Sequence, residues 1–277
     1  MAIGLINRLL LHKEEIIILY KEGCSPQNLG EKFGFSEMTI TKYLKLWDIK
    51  LRNMYESHQI WSRKLKNYDY FDIIDTEKKA YWLGFIYADG NISSKNHVFQ
   101  IGLSLKDQEH LQKFASIFNK IVKIYINKNS LDEGMDGFRA ILNIGNYYLY
   151  HSLINIGIKP RKTYSDDYSV WNNIPKELKR HFLRGFMDGD GCIGLKKRHY
   201  KSQLIITFYG RKFWIDEISQ FLSNQIKIHR KKAQKHWEDL YRIDYEGNNI
   251  AKKVCNYLYH DSELFLHRKY KVFMEAN

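Results

Sequence analysis

The chain has 277 residues, 44% of them apolar, which is enough to bury a core and compatible with one large domain or two to three small ones. No apolar run approaches the roughly 20 residues that span a bilayer, and the opening MAIGLINRLLLHKEEIIILY is broken by Arg8, His12, Lys13, Glu14 and Glu15, so a soluble intracellular protein without a secretion signal, cytoplasmic or organellar, is expected. A formal charge of +13 points to phosphate backbones or anionic membranes, and Cys24, Cys192 and Cys255, far apart and outside any CxxC spacing, are expected to be buried thiols rather than a disulfide or zinc framework.

Residues 13–22 carry Ile16, Ile17, Leu19 and Tyr20 at helical spacing, with Gly23 as the stop. Ser25-Pro26 then supplies an N-cap followed by proline at the first helical position, opening a helix that carries Leu29 and Phe33. Gly34 makes a tight turn, and Ser36 caps a third helix, SEMTITKYLKLW, which buries Ile40, Leu44 and Trp47. This order is that of a helix-turn-helix, whose last helix enters the major groove, although plain interaction bundles share it. Thr41, Lys42 and Lys45, beside Glu37 and Met38, would form the DNA-contacting face. Residues 1–50 are assigned to this small all-α domain. Residues 51–76, polar and aromatic without periodicity around Trp61, Tyr68, Tyr70 and Phe71, are assigned to an ordered connector that leans on a neighbouring surface.

Beyond residue 76 the chain repeats itself. AYWLGFIYADGNI at 80–92 matches HFLRGFMDGDGCI at 181–193, with Gly84, Phe85, Asp89, Gly90 and Ile92 answering Gly185, Phe186, Asp190, Gly191 and Ile193. The strands VFQIGLSL and QLIITFY follow, then the helices DQEHLQKFASIF and RKFWIDEISQFL, then strands containing VKIYI or IKIHR and strands FRAILNIGN or LYRIDYEGN, and a last helix. Helix, two strands, helix, two strands, helix therefore occurs twice, at 77–165 and 166–277. The implied fold is α+β, a tandem pseudo-twofold αββαββα molecule whose antiparallel sheets each leave one face open. Lys196, Lys197, Arg198 and Lys201, then Lys227, Arg230, Lys231, Lys232 and Lys235, alternate with strand-type residues and with Tyr200, Phe208, Tyr209 and His229. Basic strands of this kind suit a nucleic-acid face better than the basic amphipathic helix of a membrane binder.

Each repeat's first helix ends in an aspartate, where the helix dipole is negative and favours cations. Two such residues at matched positions ask for a compensating positive charge, and a divalent metal is the natural one, since carboxylate oxygens suit Mg²⁺. Gly90 and Gly191 are expected as the glycines that end each helix and let backbone, metal and phosphate approach. Gly84 and Gly185 clear one face of each helix for close pairing. A lone Asp-Gly would be an ordinary turn.

WLGFIYADG and LRGFMDGDG resemble the paired signature helices of LAGLIDADG homing endonucleases, and the resemblance covers about residues 76–275. It implies a single-chain, monomeric nuclease on a long, asymmetric double-stranded DNA target. Such an enzyme cuts both strands across the minor groove with Mg²⁺, for which Mn²⁺ or Ca²⁺ can substitute in binding, and leaves short 3′ overhangs. Asp89 and Asp190 match the metal-binding aspartates. Lys162 and Lys269, in the segments GIKPRKT and LFLHRKY, match the basic residue near the scissile phosphates, and Arg161 and Arg268 beside them would be structural or phosphate-contacting. Arg139, Lys196, Arg198, Lys201, Gln203, Arg230 and Lys232 are the candidates for contacting DNA from the sheets. Tyr87 departs from the signature, where Asp188 keeps its aspartate. A non-catalytic transcription regulator and a maturase acting on its own intron RNA are the alternative roles for this fold; an intein origin lacks the terminal residues it would need.

Overall fold

The computed structural model describes residues 2–126, 138–160, 169–198, 201–247 and 249–276, with the main chain alone at 2–5, 59, 126, 198 and 201. The chain forms two compact units, Met1–Leu65 and Lys66–Asn277.

The first unit contains α1 (Ala2–Leu11), α2 (Lys13–Lys21), α3 (Pro26–Phe33), α4 (Glu37–Leu46) and α5 (Met54–Ser62). Capping acts as the sequence predicts: Ser25 Oγ accepts from the Asn28 amide and Ser36 Oγ from the Thr39 amide. Gly34 closes α3 with φ +75, and a side chain on Gly30 would meet the Phe35 carbonyl, so α3 and α4 join tightly. Leu9, Ile16, Tyr20, Leu29, Phe33, Ile40 and Leu44 form the core.

Two of these helices depart from the expected layout. The charged opening still forms α1: Leu9 joins the core while Arg8 donates to the Phe33 carbonyl at 2.6 Å. Helix α5 begins inside the expected connector. Its start is a reciprocal capping box, in which Asn53 Oδ1 accepts from the Glu56 amide and Glu56 Oε2 from the Asn53 amide, both at 2.8 Å. The Asn-x-x-Glu spelling was present in the sequence.

The second unit opens with the rest of that connector, which packs on the first repeat: Phe71 and Ile74 are buried, and Asp72 accepts from Tyr148 Oη and Ser152 Oγ. Then follow α6 (Glu77–Asp89), β1 (Gly90–Ser93), β2 (Val98–Ser104), α7 (Gln108–Ile117), β3 (Lys123–Ile126), β4 (Phe138–Gly145) and α8 (Tyr147–Ile156). After a short α9 (Ser169–Asn172) the second repeat runs through α10 (Lys179–Asp190), β5 (Cys192–Arg198), β6 (Lys201–Gly210), α11 (Lys212–Ile226), β7 (Gln234–Trp237), β8 (Leu240–Glu246), α12 (Ile250–Tyr259) and α13 (His267–Glu275). The sheets have the same order, β1-β2-β4-β3 and β5-β6-β8-β7, with every neighbouring pair antiparallel. Phe99, Ile101, Leu103, Ala140, Leu142 and Ile144 face the core of the first sheet, and Leu204, Ile206, Phe208, Ile243 and Tyr245 that of the second. Helices α6 and α10 are buried nearly all round and lie packed against each other.

IKIHR is not a strand. Helix α11 runs on to Ile226, and the segment after it has its main-chain groups taken by helix side chains instead of a neighbouring strand. Ser219 Oγ pairs with both the amide and the carbonyl of Lys231, and Ser223 Oγ donates to the Ile228 carbonyl. The ladder therefore starts only at Gln234. Arg230 and Lys232 lie exposed in this irregular segment. Of the cysteines, Cys255 is buried, but Cys24 is half-buried and Cys192 exposed, because Cys192 falls on the open side of β5 opposite Thr207.

Candidate active site

The two signature helices touch through their glycines. A side chain on Gly84 would lie 1.9 Å from the Phe182 carbonyl oxygen, and one on Gly185 would lie 1.9 Å from that of Tyr81. Tyr81 and Phe182 are themselves counterparts in the repeat, so the two contacts are one contact seen twice across a local twofold. Nearer the helix ends, a side chain on Gly189 would meet Ala88 Cβ at 2.3 Å and Asp89 Oδ2 at 3.1 Å. Asp89 is thereby set against the last turn of α10, beside the residue that precedes Asp190. Asp89 is half-buried and Asp190 exposed.

Gly90 and Gly191 end the helices, but not through the left-handed conformation typical of a terminal glycine. Both are extended, at φ −74 and −81. Their need for glycine is spatial: a side chain would meet the Ile86 carbonyl at 2.5 Å in one case and Met187 Sδ at 2.1 Å in the other. Each chain turns into its first strand folded back on its own helix.

Lys269 is buried beneath the end of α10. Its Nζ donates to the carbonyls of Met187, Asp188, Gly189 and Gly191 at 2.9, 2.7, 3.0 and 2.6 Å. Burial lowers its pKa, which Asp188 and Asp89 raise and Arg268 lowers. Part of the positive charge that the helix end calls for is thus supplied by the protein. Arg268 points elsewhere, with Nε 3.0 and 2.9 Å from the two oxygens of buried Asp107 in the first repeat. Arg161 and Lys162 lie outside the described residues.

Around α10 is a polar cluster that the motif alone does not foretell. Asp188 is fully buried and accepts from Tyr81 Oη, Tyr259 Oη and the Leu266 amide; burial raises its pKa and these donors lower it. Arg184, also fully buried, donates to the carbonyls of Leu264 and Leu258 and pairs with Glu77 at 2.6 Å. The spacing of an aspartate and an arginine on an otherwise apolar helix was the available signal, since a charge at a buried position has to be paired.

Burial pushes the imidazoles of His110 and His181 down to about 3, helped by Lys113 at His110 and by Arg184 and Arg180 at His181. Glu77, 3.5 Å from His181, would favour its charge but is outweighed. Both rings stay neutral in the folded chain and take a proton near pH 6.5 when unfolded. A depressed folded pKa of this kind costs stability as pH falls below 6.5, by about 1.4 kcal/mol per pH unit for each histidine, while Asp188, with its raised pKa, works in the opposite sense. Urea unfolding between pH 6.5 and 5 is expected to show the midpoint falling with pH, and His181→Gln to reduce that slope.

The sheet registers place several of the basic candidates on the open faces. In the first sheet Arg139 pairs with Ser104 and Tyr125, on the side that also carries Gln100 and Asn143, whose amides join at 2.7 Å. In the second, Lys196 pairs with Gln203, and Lys196 Nζ meets Glu246 at 3.1 Å. Arg198 and Lys201 pair at the far end of the same strands. Thr41 is half-buried, and Lys42 and Lys45 are exposed on α4 in the first unit.

Among the described residues, no three His, Cys, Asp or Glu side chains cluster to hold a metal ion. Two carboxylates brought in from two helix ends are nonetheless an all-oxygen donor set, and Mg²⁺ commonly takes one or two carboxylates and fills the remaining positions with water and phosphate. By the chemistry of their donors, Asp89 and Asp190 are the side chains that could hold such an ion.

No family model matches the chain, and no curated protein matches its sequence. The solved structures it resembles include homing endonucleases. The LAGLIDADG homing endonuclease I-GzeII in complex with its DNA target is 10% identical at a TM-score of 0.46, over 71% of this chain and 88% of that one. The LAGLIDADG meganuclease I-CpaMI bound to uncleaved DNA is 15% identical at 0.45, over 73% and 90%. I-SmaMI bound to an uncleaved DNA target in the presence of calcium ions is 13% identical at 0.43, over 73% and 90%. Likenesses this low in identity and TM-score add nothing to the architecture that the chain's own strand order and helix pairing establish.

Proposed function

We propose that the chain is a site-specific DNA endonuclease that hydrolyses both strands of a long, asymmetric duplex with Mg²⁺, across the minor groove and with short 3′ overhangs. The observation that carries this reading is the reciprocal glycine contact, which sets Asp89 of one motif against the end of the helix that bears Asp190. Two aspartates at matched helix ends, one of them set against the helix that bears the other, favour cleavage over a purely binding role.

In the proposed mechanism the open sheet faces bind the duplex, with Arg139, Lys196 and Gln203 among the contacts. Asp89 and Asp190 would hold the divalent ion, which would supply Lewis acidity for activating water. The close packing of α6 and α10 puts the ends of the two helices, each with its aspartate, on the same side of the pair. Selecting cleavable sequences from a randomised duplex library tests the reading: specific double-strand cuts that stop on chelation with EDTA support it, and binding without cutting at any selected site overturns it.

The first unit is read as an added helix-turn-helix contact outside the central site, with Thr41, Lys42 and Lys45 facing DNA. Each phosphate neutralised on B-DNA contributes about −0.9 to the log–log slope of affinity against salt. Lys42→Ala and Lys45→Ala are each expected to make that slope shallower by about one such step if the lysine contacts a phosphate, while leaving the cutting rate of bound DNA unchanged. Filter binding across a salt series measures it; an unchanged slope in both variants removes α4 from the interface.

A further inference from the structure

The resemblance implies a phosphate-facing cation at Lys269, but its surroundings describe a different part. The side chain is 5% exposed. An ammonium has three protons, and here it lies within hydrogen-bond distance of four main-chain carbonyls, those of Met187, Asp188, Gly189 and Gly191. Its donors are saturated before any phosphate or water arrives. Carbonyls of the last helical turn are the groups that a helix leaves without internal partners, and a cation there also meets the negative end of the dipole.

The lysine is held there by Asp188. Oδ2 of Asp188 accepts from the Leu266 amide, at the start of the helix that carries Lys269, and from Tyr81 Oη on α6, each at 2.7 Å. Oδ1 accepts from Tyr259 Oη on α12 at 2.6 Å. One buried carboxylate on α10 thus ties together α6, α12 and α13. In the first motif its counterpart is Tyr87, which packs on Phe182, Phe186 and Trp214. The aspartate tie therefore belongs to the second helix end.

We propose that Asp188 and Lys269 are positioning residues: Asp188 anchors α13, Lys269 seals the last turn of α10, and together they orient the Asp190 carboxylate without touching DNA or the reacting atoms. The inference rests on reading Asp190 as a ligand for a divalent cation.

Reductive methylation of the wild-type full chain, read by peptide mass spectrometry with and without selected duplex in Ca²⁺, tests the burial of the ammonium directly. Lys269 is expected to stay unmodified in both states while exposed Lys232 reacts in the free protein; a Lys269 that reacts when free and is protected by DNA overturns the proposal. Calorimetric titration with Ca²⁺ tests the positioning. In Lys269→Met and Asp188→Asn the Ca²⁺ affinity is expected to fall about 10- to 100-fold, as it does when outer-shell partners of ligands are lost. Lys269→Arg should not restore it, because a planar guanidinium does not fit a cage built around one ammonium. The salt slope of DNA binding should be unchanged. Wild-type Ca²⁺ affinity in a folded Lys269→Met variant, or a slope shallower by about 0.9, overturns the proposal; if that variant does not fold, the methylation pattern decides. Asp190-dependent Ca²⁺ binding in a protein that cuts no selected duplex would sink the endonuclease reading and leave the positioning intact, whereas an Asp190→Asn variant that binds Ca²⁺ like the wild type sinks the positioning whatever is cut.

Discussion

Asp89→Asn and Asp190→Asn are each expected to lower double-strand cleavage by on the order of 10³-fold or more while leaving DNA affinity equal or higher. A divalent ion stabilises several kcal/mol of developing charge during phosphodiester hydrolysis, and each 1.4 kcal/mol is a factor of ten in rate. An asparagine keeps the shape of the side chain but removes the charge that holds the ion, and it also removes a like charge from the approach path of the phosphates. Because Asp89 is set against the α10 end through Gly189, one substitution should slow both strands. The measurement is single-turnover cleavage of a selected duplex labelled on each strand. If either variant cuts both strands at the wild-type rate, the proposed site is wrong; if it spares one strand, each aspartate serves its own centre and the composite site divides in two.

The second large effect is on stability. Gly185→Ala puts a methyl group 1.9 Å from the Tyr81 carbonyl oxygen, and Gly84→Ala does the same at Phe182. The obstacle is main chain on the facing helix, so it cannot swing aside. The helices have to part, and with them the core on both sides. Alanine gains nearly 1 kcal/mol of helix propensity over glycine, but overpacking of a tight core costs about 1–3 kcal/mol and sometimes more, and a backbone clash between two buried helices belongs at the upper end. A net loss of about 2 kcal/mol corresponds to a melting temperature lower by roughly 4 to 8 °C for a unit of this size. Cleavage should suffer as well, since the same contact aligns the helix ends. Thermal melts read by circular dichroism check it, and a Gly185→Ala protein that melts with the wild type would mean the helices are not in this contact.

Much of this architecture was legible in the order of residues. Ser25 and Ser36 announce helix starts three residues ahead of the amides they accept from, and Gly34 closes the helix between them. The matched motifs at 80–92 and 181–193 announce two copies of one unit, with Gly84 and Gly185 already marked for close packing. Signals of this kind act over a few residues, or repeat, so they survive without a third dimension. The capping box at Asn53 and Glu56 is equally local, but the residues of the helix it opens show no clear period, so its spelling is the one signal for that helix.

What was not legible depends on partners that are distant or have no letter of their own. IKIHR has the composition of a strand, but Ser223 on the preceding helix takes the Ile228 carbonyl and Ser219 takes the main chain of Lys231 just beyond it. Cys192 follows the tendency of free cysteine to hide until the register of β5 puts it on the open face. Lys269 is the clearest case. Its partners are four carbonyl oxygens some 80 residues earlier in the chain, and every residue type carries the same carbonyl. A repeat can say that a lysine recurs near a helix end; whether its charge faces a phosphate or closes the helix is set by the path of α13 beneath α10, which buried Asp188 holds in place.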